Sequence, residues 1–526
     1  MALDAIELEV LRNKLVGIAE EMGDVLIHAA YSPNIKERQD CSTALFDAEG
    51  RMIAQAEHIP VHLGAMPEAV EAVRNQEPEP GDTFVLNDPF TGGTHLPDIT
   101  IVSPIAIGNS IVAYGVSRAH HSDVGGRTPG SMPAGAQEIY EEGLRIPPVR
   151  LQVGGSFQED VLSLVLSNVR NPAERTADLR AQLAANKRAD KRLTELCNRH
   201  GLDTVSEAFD AVIDYSRERI ATELGTIPDG TYSAADVLEG DGITEEEIPI
   251  QVELTVEGDH ATLDFTGTAD QVPGNMNAPP AVAQSAVYFV LRSVTDPDIP
   301  PNAGCYEPVT VQLPEGSLLN PTLPAAVVGG NVETSQRVMD VVFSAFAKAL
   351  PEQIPAQGQG TMNNLIIGSR THEGFTYYET IAGGSGARPT GDGLDGVQVG
   401  MTNTLNTPIE ALEASYPLTV EKYALREGSG GKGKYRGGMG IIRSVRVDEP
   451  AMVSLLTERR RTSPEGQAGG EPGSPGENLL DGEPLPAKTT VAVDAGARIT
   501  VKTPGGGGFG ELHGHSDSEP DNDAKN

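Results

Sequence analysis

The run Asn87-Asp88-Pro89-Phe90-Thr91-Gly92-Gly93-Thr94-His95-Leu96-Pro97-Asp98 constrains the fold more than any other stretch of this chain. It lies between two apolar segments, residues 83–86 and 99–102. The pattern predicts a strand, a glycine-bearing loop and a second strand. The loop carries one imidazole and one carboxylate, His95 and Asp98, three residues apart. A third apolar segment, residues 110–116, runs into Arg118-Ala119-His120-His121-Ser122-Asp123. Imidazoles and carboxylates gathered at strand ends suit a divalent cation. The residues themselves offer His95, Asp98 and one of His120 or His121 as ligands. Glu37, in Ile35-Lys36-Glu37-Arg38-Gln39-Asp40, is available as a fourth. A mixed nitrogen and oxygen set suits Mn2+, Fe2+ or Zn2+ better than Ca2+.

Hydrophobic periodicity places the other elements. Asp4 can cap a long helix whose apolar residues fall at Leu8, Leu11, Leu15, Ile18, Met22 and Val25, ending by Tyr31-Ser32-Pro33. Residues 43–46 and 52–54 flank Asp47-Ala48-Glu49-Gly50 and read as a hairpin. A helix is expected over 62–73, and helical sequence over 164–225. That second stretch holds the one basic concentration: Arg170, Arg175, Arg180, Lys187, Arg188, Lys191 and Arg192. Pairing with nearby Glu and Asp is the plain reading, and a docking face or phosphate path is the functional one. Residues 248–256 alternate as a strand, and 261–265 return. Further helices are expected over 281–294 and 334–349, and the chain reads as β beyond about 423. The fold class expected is α+β: a large mixed-sheet protein with a long N-terminal helix and a β-rich C-terminal part. The expected parts are 1–225, 226–425 and 426–510, with soft boundaries, and a disordered acidic tail at 511–526.

Charge bounds the partners. Seventy-five Asp and Glu against 39 Lys and Arg leave a net charge of −36. Such self-repulsion suits a salt-rich cytoplasm, where the screening length falls to about 3 Å at molar salt. It argues against nucleic acid and anionic membranes as partners. Cys41, Cys197 and Cys305 are scattered and odd in number, so neither a disulfide framework nor a zinc finger is expected. Cys41 reads as a buried structural thiol rather than a nucleophile. No apolar run approaches a membrane span, and the N-terminus lacks a leader pattern, so a soluble cytoplasmic protein is expected. Gly428-Ser429-Gly430-Gly431-Lys432-Gly433-Lys434-Tyr435 imitates a phosphate loop, but Tyr435 replaces the Ser or Thr that would hold Mg2+ and no helix is expected after it.

Several long runs, in order, resemble the hydantoinase B family. They are Ile35 to Arg38, Ala56-Glu57-His58-Ile59-Pro60-Val61-His62-Leu63-Gly64, Asn87 to Asp98, and Glu138 to Pro148. The match continues through Asn168-Val169-Arg170, Asp264-Phe265-Thr266-Gly267-Thr268, Gly329 to Gln336 and Met401-Thr402-Asn403-Thr404. This family supplies the B-type subunit of ATP-dependent N-methylhydantoinases, 5-oxoprolinases and acetone or acetophenone carboxylases. The resemblance implies a separate A-type chain that uses ATP, and a metal held by Glu37, His95, Asp98 and His120. One departure is Cys41, where the family usually carries Phe.

The resemblance further implies an ATP-dependent ring-opening hydrolase acting on a hydantoin or a 5-oxoproline-like lactam. Phosphorylation of the carbonyl oxygen makes the ring electrophilic, and a metal-bound water supplies the nucleophile. His121 or Asp123 is the expected general base, and groups near Gly330-Asn331 or Asn363-Asn364 the expected oxyanion donors. A carboxylase subunit with the same ligands, and a non-catalytic scaffold, are the competing expectations.

Overall fold

A computed structural model describes residues 4–57, 59–370 and 374–512. The expected tail therefore lies outside the described residues from position 513 on, as does His58. The architecture is α+β, as the periodicity predicts. The N-terminal helix spans Ala5–Ala29, and the Asp4 side chain accepts a hydrogen bond from the Glu7 N–H at 2.7 Å. Its buried stripe is Leu11, Leu15, Ile18, Met22 and Leu26. The expected 164–225 helical stretch resolves into Glu159–Ser167, Pro172–His200 and Leu202–Leu224.

Among the described residues the strands form four sheets. The largest runs Met52–Glu57, Cys41–Asp47, Ser110–His120, Asp98–Ile107, Thr83–Leu86, Val149–Val153, Ser156–Phe157, and every adjacent pair is antiparallel. Helices Ala5–Ala29 and Pro172–His200 cover one face of it, burying Leu15, Ala189 and Leu193 against Leu45 and Ile105. The other face carries helix Met66–Arg74, whose Met66, Ala69, Val70 and Val73 share one apolar core with Phe46, Phe84 and helices Pro280–Val294 and Ser335–Ala349. There a second sheet orders Val309–Gln312, His260–Asp264, Ile248–Glu257 and Gly230–Leu238. One apolar core joins these parts, taking Phe46 and Phe84 from the first sheet, Leu254 from the second and Leu456 from the C-terminal region.

Two antiparallel sheets build the C-terminal region. One contains Thr376–Thr380, Asn364–Ser369, Ala451–Leu456 and Lys488–Val493. The other contains Leu418–Leu425, Ile441–Val447, Arg498–Lys502, Glu477–Leu480 and Glu483–Leu485. They meet across Ile367, Val453, Val445 and Val501. No helix among the described residues is long and apolar enough to cross a membrane.

The glycine-rich loops converge on residues 505–508. The N–H groups of Gly505, Gly506, Gly507 and Gly508 donate in turn to the carbonyls of Ser474, Gly438, Gln357 and Glu471, at 2.8–3.1 Å. A Cβ at Gly505, Gly506 or Gly507 would stand 2.0 Å from a neighbouring carbonyl oxygen. Only glycine permits five chain segments to approach this closely. The phosphate-loop imitation is one of these segments: Gly431 N–H donates to the Gly506 carbonyl, and strand Ile441–Val447 is the next element. That backbone is committed to packing.

Candidate metal centre

The hairpin of Asp98–Ile107 and Ser110–His120 builds the site. Its register sets Asp98 opposite His120 at the open end. Strand Cys41–Asp47 begins alongside, with Cys41 opposite Ala119, and the His120 N–H donates to the Asp40 carbonyl at 3.0 Å. Three strand ends thus bring residues 40, 98 and 120 together.

The loop that carries His95 is stapled at its ends. Asn87 Nδ2 donates to the carbonyls of Leu96 (2.7 Å) and Leu144 (2.9 Å), and its Oδ1 accepts the Ile146 N–H at 2.7 Å. Buried Arg118 reaches beneath the loop to the carbonyls of Gly92 (3.0 Å) and Ala65 (3.2 Å) and to Thr100 Oγ1 (2.8 Å). Burial pulls its guanidinium down to about 10, which still leaves it charged at neutral pH.

Three buried atoms converge. His95 Nε2 lies 3.1 Å from Asp98 Oδ1, His120 Nδ1 lies 3.3 Å from the same oxygen, and the two ring nitrogens are 3.2 Å apart. Two imidazole nitrogens and a carboxylate oxygen thus stand in mutual contact, and the two nitrogens face each other as closely as each faces the oxygen. A cation about 2.1 Å from each atom, at angles near about 100°, would space the atoms about 3.2 Å apart. The cavity beside them measures about 20 Å³, and Asp40, His62, Asn331, Tyr378 and Thr402 also line it. That is room for about one water or one ion. The donor set therefore fits a divalent metal.

Burial acts on both titrating partners. Burial alone would raise the Asp98 pKa, but the charge of His95 and the bonds from His120 and His62 outweigh it, and the carboxyl is held well below the usual range. Burial moves the His120 pKa down against the pull of Asp98, which favours the neutral ring.

Further residues fix the ligands. The Thr94 hydroxyl donates to Asp98 Oδ2 at 2.7 Å. Tyr378 stacks on His120, with ring centroids 4.6 Å apart and planes 18° from parallel. The buried guanidinium of Arg38 lies 4.8 Å from the Tyr378 centroid. The Tyr378 hydroxyl donates to Asn364 Oδ1 at 2.9 Å. Asn331 sits on a π-helical turn, Gly330–Thr334, with Nδ2 3.4 Å from His95 Nε2. Such turns recur at functional sites.

The structure brings together His95, Asp98 and His120 and sets the other expected residues elsewhere. Glu37 caps the short helix Pro33–Lys36, half-buried and outside the convergent group. Gln39 then adopts a φ of 55°, and Asp40, also outside the convergent group, is the acidic residue of this segment that lines the cavity. No described residue donates to that carboxylate. His121 points to the opposite side of the strand, where Nε2 meets Gln182 Oε1 at 3.0 Å. Burial and the Arg175 charge push its pKa down to about 4. Asp123 is saturated: it accepts the N–H groups of Gly125, Gly130 and Arg170, at 2.9, 2.9 and 3.0 Å, and the Arg170 guanidinium at 3.0 Å. Asn331 lines the cavity, whereas Asn363 and Asn364 are not among its lining residues. Cys41 is buried and its thiol is pushed up by burial, as an inert core residue should be. In the basic helix stretch, Arg170, Arg175, Arg188 and Arg192 pair with acids. His62 and Asp40 are the residues the loop pattern missed. His62 lies within the run Ala56 to Gly64 that carries the family resemblance, and Asp40 lies two residues beyond the run Ile35 to Arg38.

A family model described as Hydantoinase B/oxoprolinase matches residues 4–512. The chain belongs to this family. It is 41% identical to 5-oxoprolinase 1 of Arabidopsis thaliana over 96% of its own length, but spans only 42% of that relative. It is 31% identical to a protein of a Pseudomonas species named as the putative B-type subunit of a D-/L-hydantoinase, covering 97% of this chain and 90% of the relative. The crystal structure of the ATP-dependent caprolactamase from Pseudomonas jessenii superposes with a TM-score of 0.91 at 32% identity, over 97% of this chain and 92% of that one. A nucleotide-free acetone carboxylase shares the fold, with a TM-score of 0.85 at 20% identity, over 95% of this chain and 76% of that one.

Proposed function

We propose that this chain is the B-type subunit of an ATP-dependent ring-opening amidohydrolase acting on a hydantoin or a 5-oxoproline-like lactam. ATP is used by a separate A-type chain. The convergence of His95, Asp98 and His120 on a cavity of single-ion size carries this reading. The relatives named oxoprolinase, hydantoinase and caprolactamase support the substrate class, since all three names denote enzymes of cyclic amides. The commitment of the glycine loops to packing supports a partner that handles the nucleotide. The −36 charge fits work in a salt-rich cytoplasm.

His95 Nε2, Asp98 Oδ1 and His120 Nδ1 would hold Mn2+, Fe2+ or Zn2+, with Asp40 as a further donor or proton acceptor at the wall. A divalent cation there supplies Lewis acidity toward a carbonyl or water oxygen. Asn331 Nδ2 stands where it can donate to an oxyanion. Ile59, Val61, Val332 and Met362 line the same cavity and limit bulk water.

The test is reconstitution with an A-type chain, ATP and either 5-oxoproline or a hydantoin, following ADP release and ring opening together. Ring opening that needs both chains and ATP, and is lost in Asp98→Asn, supports the proposal. Bicarbonate-dependent carboxylation of a ketone instead would make the chain a carboxylase subunit. Full activity in Asp98→Asn would leave it a scaffold.

A further inference from the structure

His62 touches the ligand set without belonging to it. Its Nε2 lies 3.5 Å from Asp98 Oδ2, and its Nδ1 lies 2.9 Å from Ser42 Oγ. Both His62 and Ser42 are buried. The ring sits on a single 3-10 turn, Pro60–His62, and Ser42 is on the adjoining strand Cys41–Asp47.

The tautomer follows from the neighbours. An ionised Asp98 oxygen needs a proton facing it, so Nε2 carries the hydrogen and Nδ1 is the bare nitrogen. The Ser42 hydroxyl then donates to Nδ1, the one described partner it has. The reverse tautomer would set a lone pair against a carboxylate. Thr94 donates to the same Asp98 oxygen. The Thr94 hydroxyl thus donates to Oδ2 while the His62 ring nitrogen faces the same oxygen at 3.5 Å from a second element, and Oδ1 turns toward His95 and His120.

We propose that His62 is a positioning residue for the metal centre, oriented by Ser42, which with Thr94 holds Asp98 so that it offers a single oxygen to the cation. This rests on the reading of His95, Asp98 and His120 as metal ligands. Outer partners of this kind fix ligand orientation, and their loss costs about 10–100-fold in metal affinity.

Calorimetric titration of the intact chain with Mn2+, together with a melting curve for each variant, tests this. His62→Ala should weaken Mn2+ binding about 10–100-fold. His62→Gln keeps an N–H near the Nε2 position and should bind close to the unsubstituted chain. Ser42→Ala should fall between them. Equal losses in His62→Gln and His62→Ala would make the ring itself a ligand and overturn the proposal. So would unchanged Mn2+ binding in His62→Ala, which would leave only packing. If His62→Ala does not fold, the other two variants decide: weakened Ser42→Ala with retained His62→Gln supports the proposal, and the reverse ranking overturns it. No substrate enters this test. A chain that shows the ranking yet opens no lactam refutes the activity proposed above and leaves the role of His62 standing, whereas an unsubstituted chain that takes up no Mn2+ refutes that role.

Discussion

Asp98 and His120 occupy opposite positions in the register of one hairpin, and their side chains meet with Asp98 Oδ1 3.3 Å from His120 Nδ1. The pairing places two ligand atoms on one rigid sheet edge rather than on separate loops, which favours a fixed geometry. Of the three converging ligands His95 is the one carried by a loop, and Asn87 and Arg118 tether that loop.

The fourth donor should be Asp40 and not Glu37. Asp40→Asn should weaken divalent cation binding by at least about tenfold, whereas Glu37→Gln should leave it unchanged. Equilibrium dialysis with Mn2+ separates the two. A loss confined to Glu37→Gln would return that residue to the ligand set.

The Tyr378 ring should matter more than its hydroxyl. Tyr378→Phe keeps the stack on His120 and removes one buried hydrogen bond, at a cost of about 1 kcal/mol. Tyr378→Leu removes the stack and leaves a gap, at a cost of about 3 kcal/mol. Urea unfolding gives the stability, and Mn2+ titration should show a loss of affinity only for the leucine variant.

Two glycines should respond with opposite sign. A Cβ at Gly93 would stand 2.4 Å from the Asn87 carbonyl oxygen, so Gly93→Ala must shift the loop two residues before His95. A destabilisation of at least about 2 kcal/mol and weakened cation binding are expected. Gly17 lies within helix Ala5–Ala29, and a Cβ there would meet nothing within 4 Å. Gly17→Ala should stabilise by up to about 1 kcal/mol. Melting temperatures of the two variants check the contrast.

Glu142 should give the protein a pH-dependent stability. Burial raises its pKa to about 8, although its Oε1 accepts the N–H groups of Val327 and Val328 at 2.9 Å. The folded chain keeps this proton to about pH 8, and the unfolded chain releases it near about pH 4.5. The contribution is therefore complete below about pH 4.5 and is lost as pH rises toward about 8, with a size on the order of a few kcal/mol. Glu142→Gln stays neutral throughout. Its melting temperature relative to the parent chain should climb between about pH 5 and 8, and parallel curves would contradict the assignment.

Much of the frame was legible because it rests on local pattern. The cap at Asp4, the alternation in Ile248–Glu257 and the apolar segments around the His95 loop all report short-range geometry. His95, Asp98 and His120 were readable because they flank strands. Glu37 and Asp40 were not separable, since three residues at the end of a one-turn helix decide which one faces inward, and the left-handed turn at Gln39 carries no strong sequence signal. His121 and Asp123 are taken up by partners distant in the chain: Gln182 comes from helix Pro172–His200 and Arg170 from the turn before it. The glycine-rich junction was invisible because each contributing segment shows only glycines, and the fit of five segments is a property of their assembly.

The metal centre itself is open to direct measurement. Elemental analysis of the chain purified gently in high salt, with and without Asp98→Asn and His120→Ala, should find about one divalent ion per chain in the parent and none in either variant, while far-ultraviolet circular dichroism stays the same. Metal-free parent protein that also binds no added Mn2+, Fe2+ or Zn2+, or variants that retain the ion, would contradict the account.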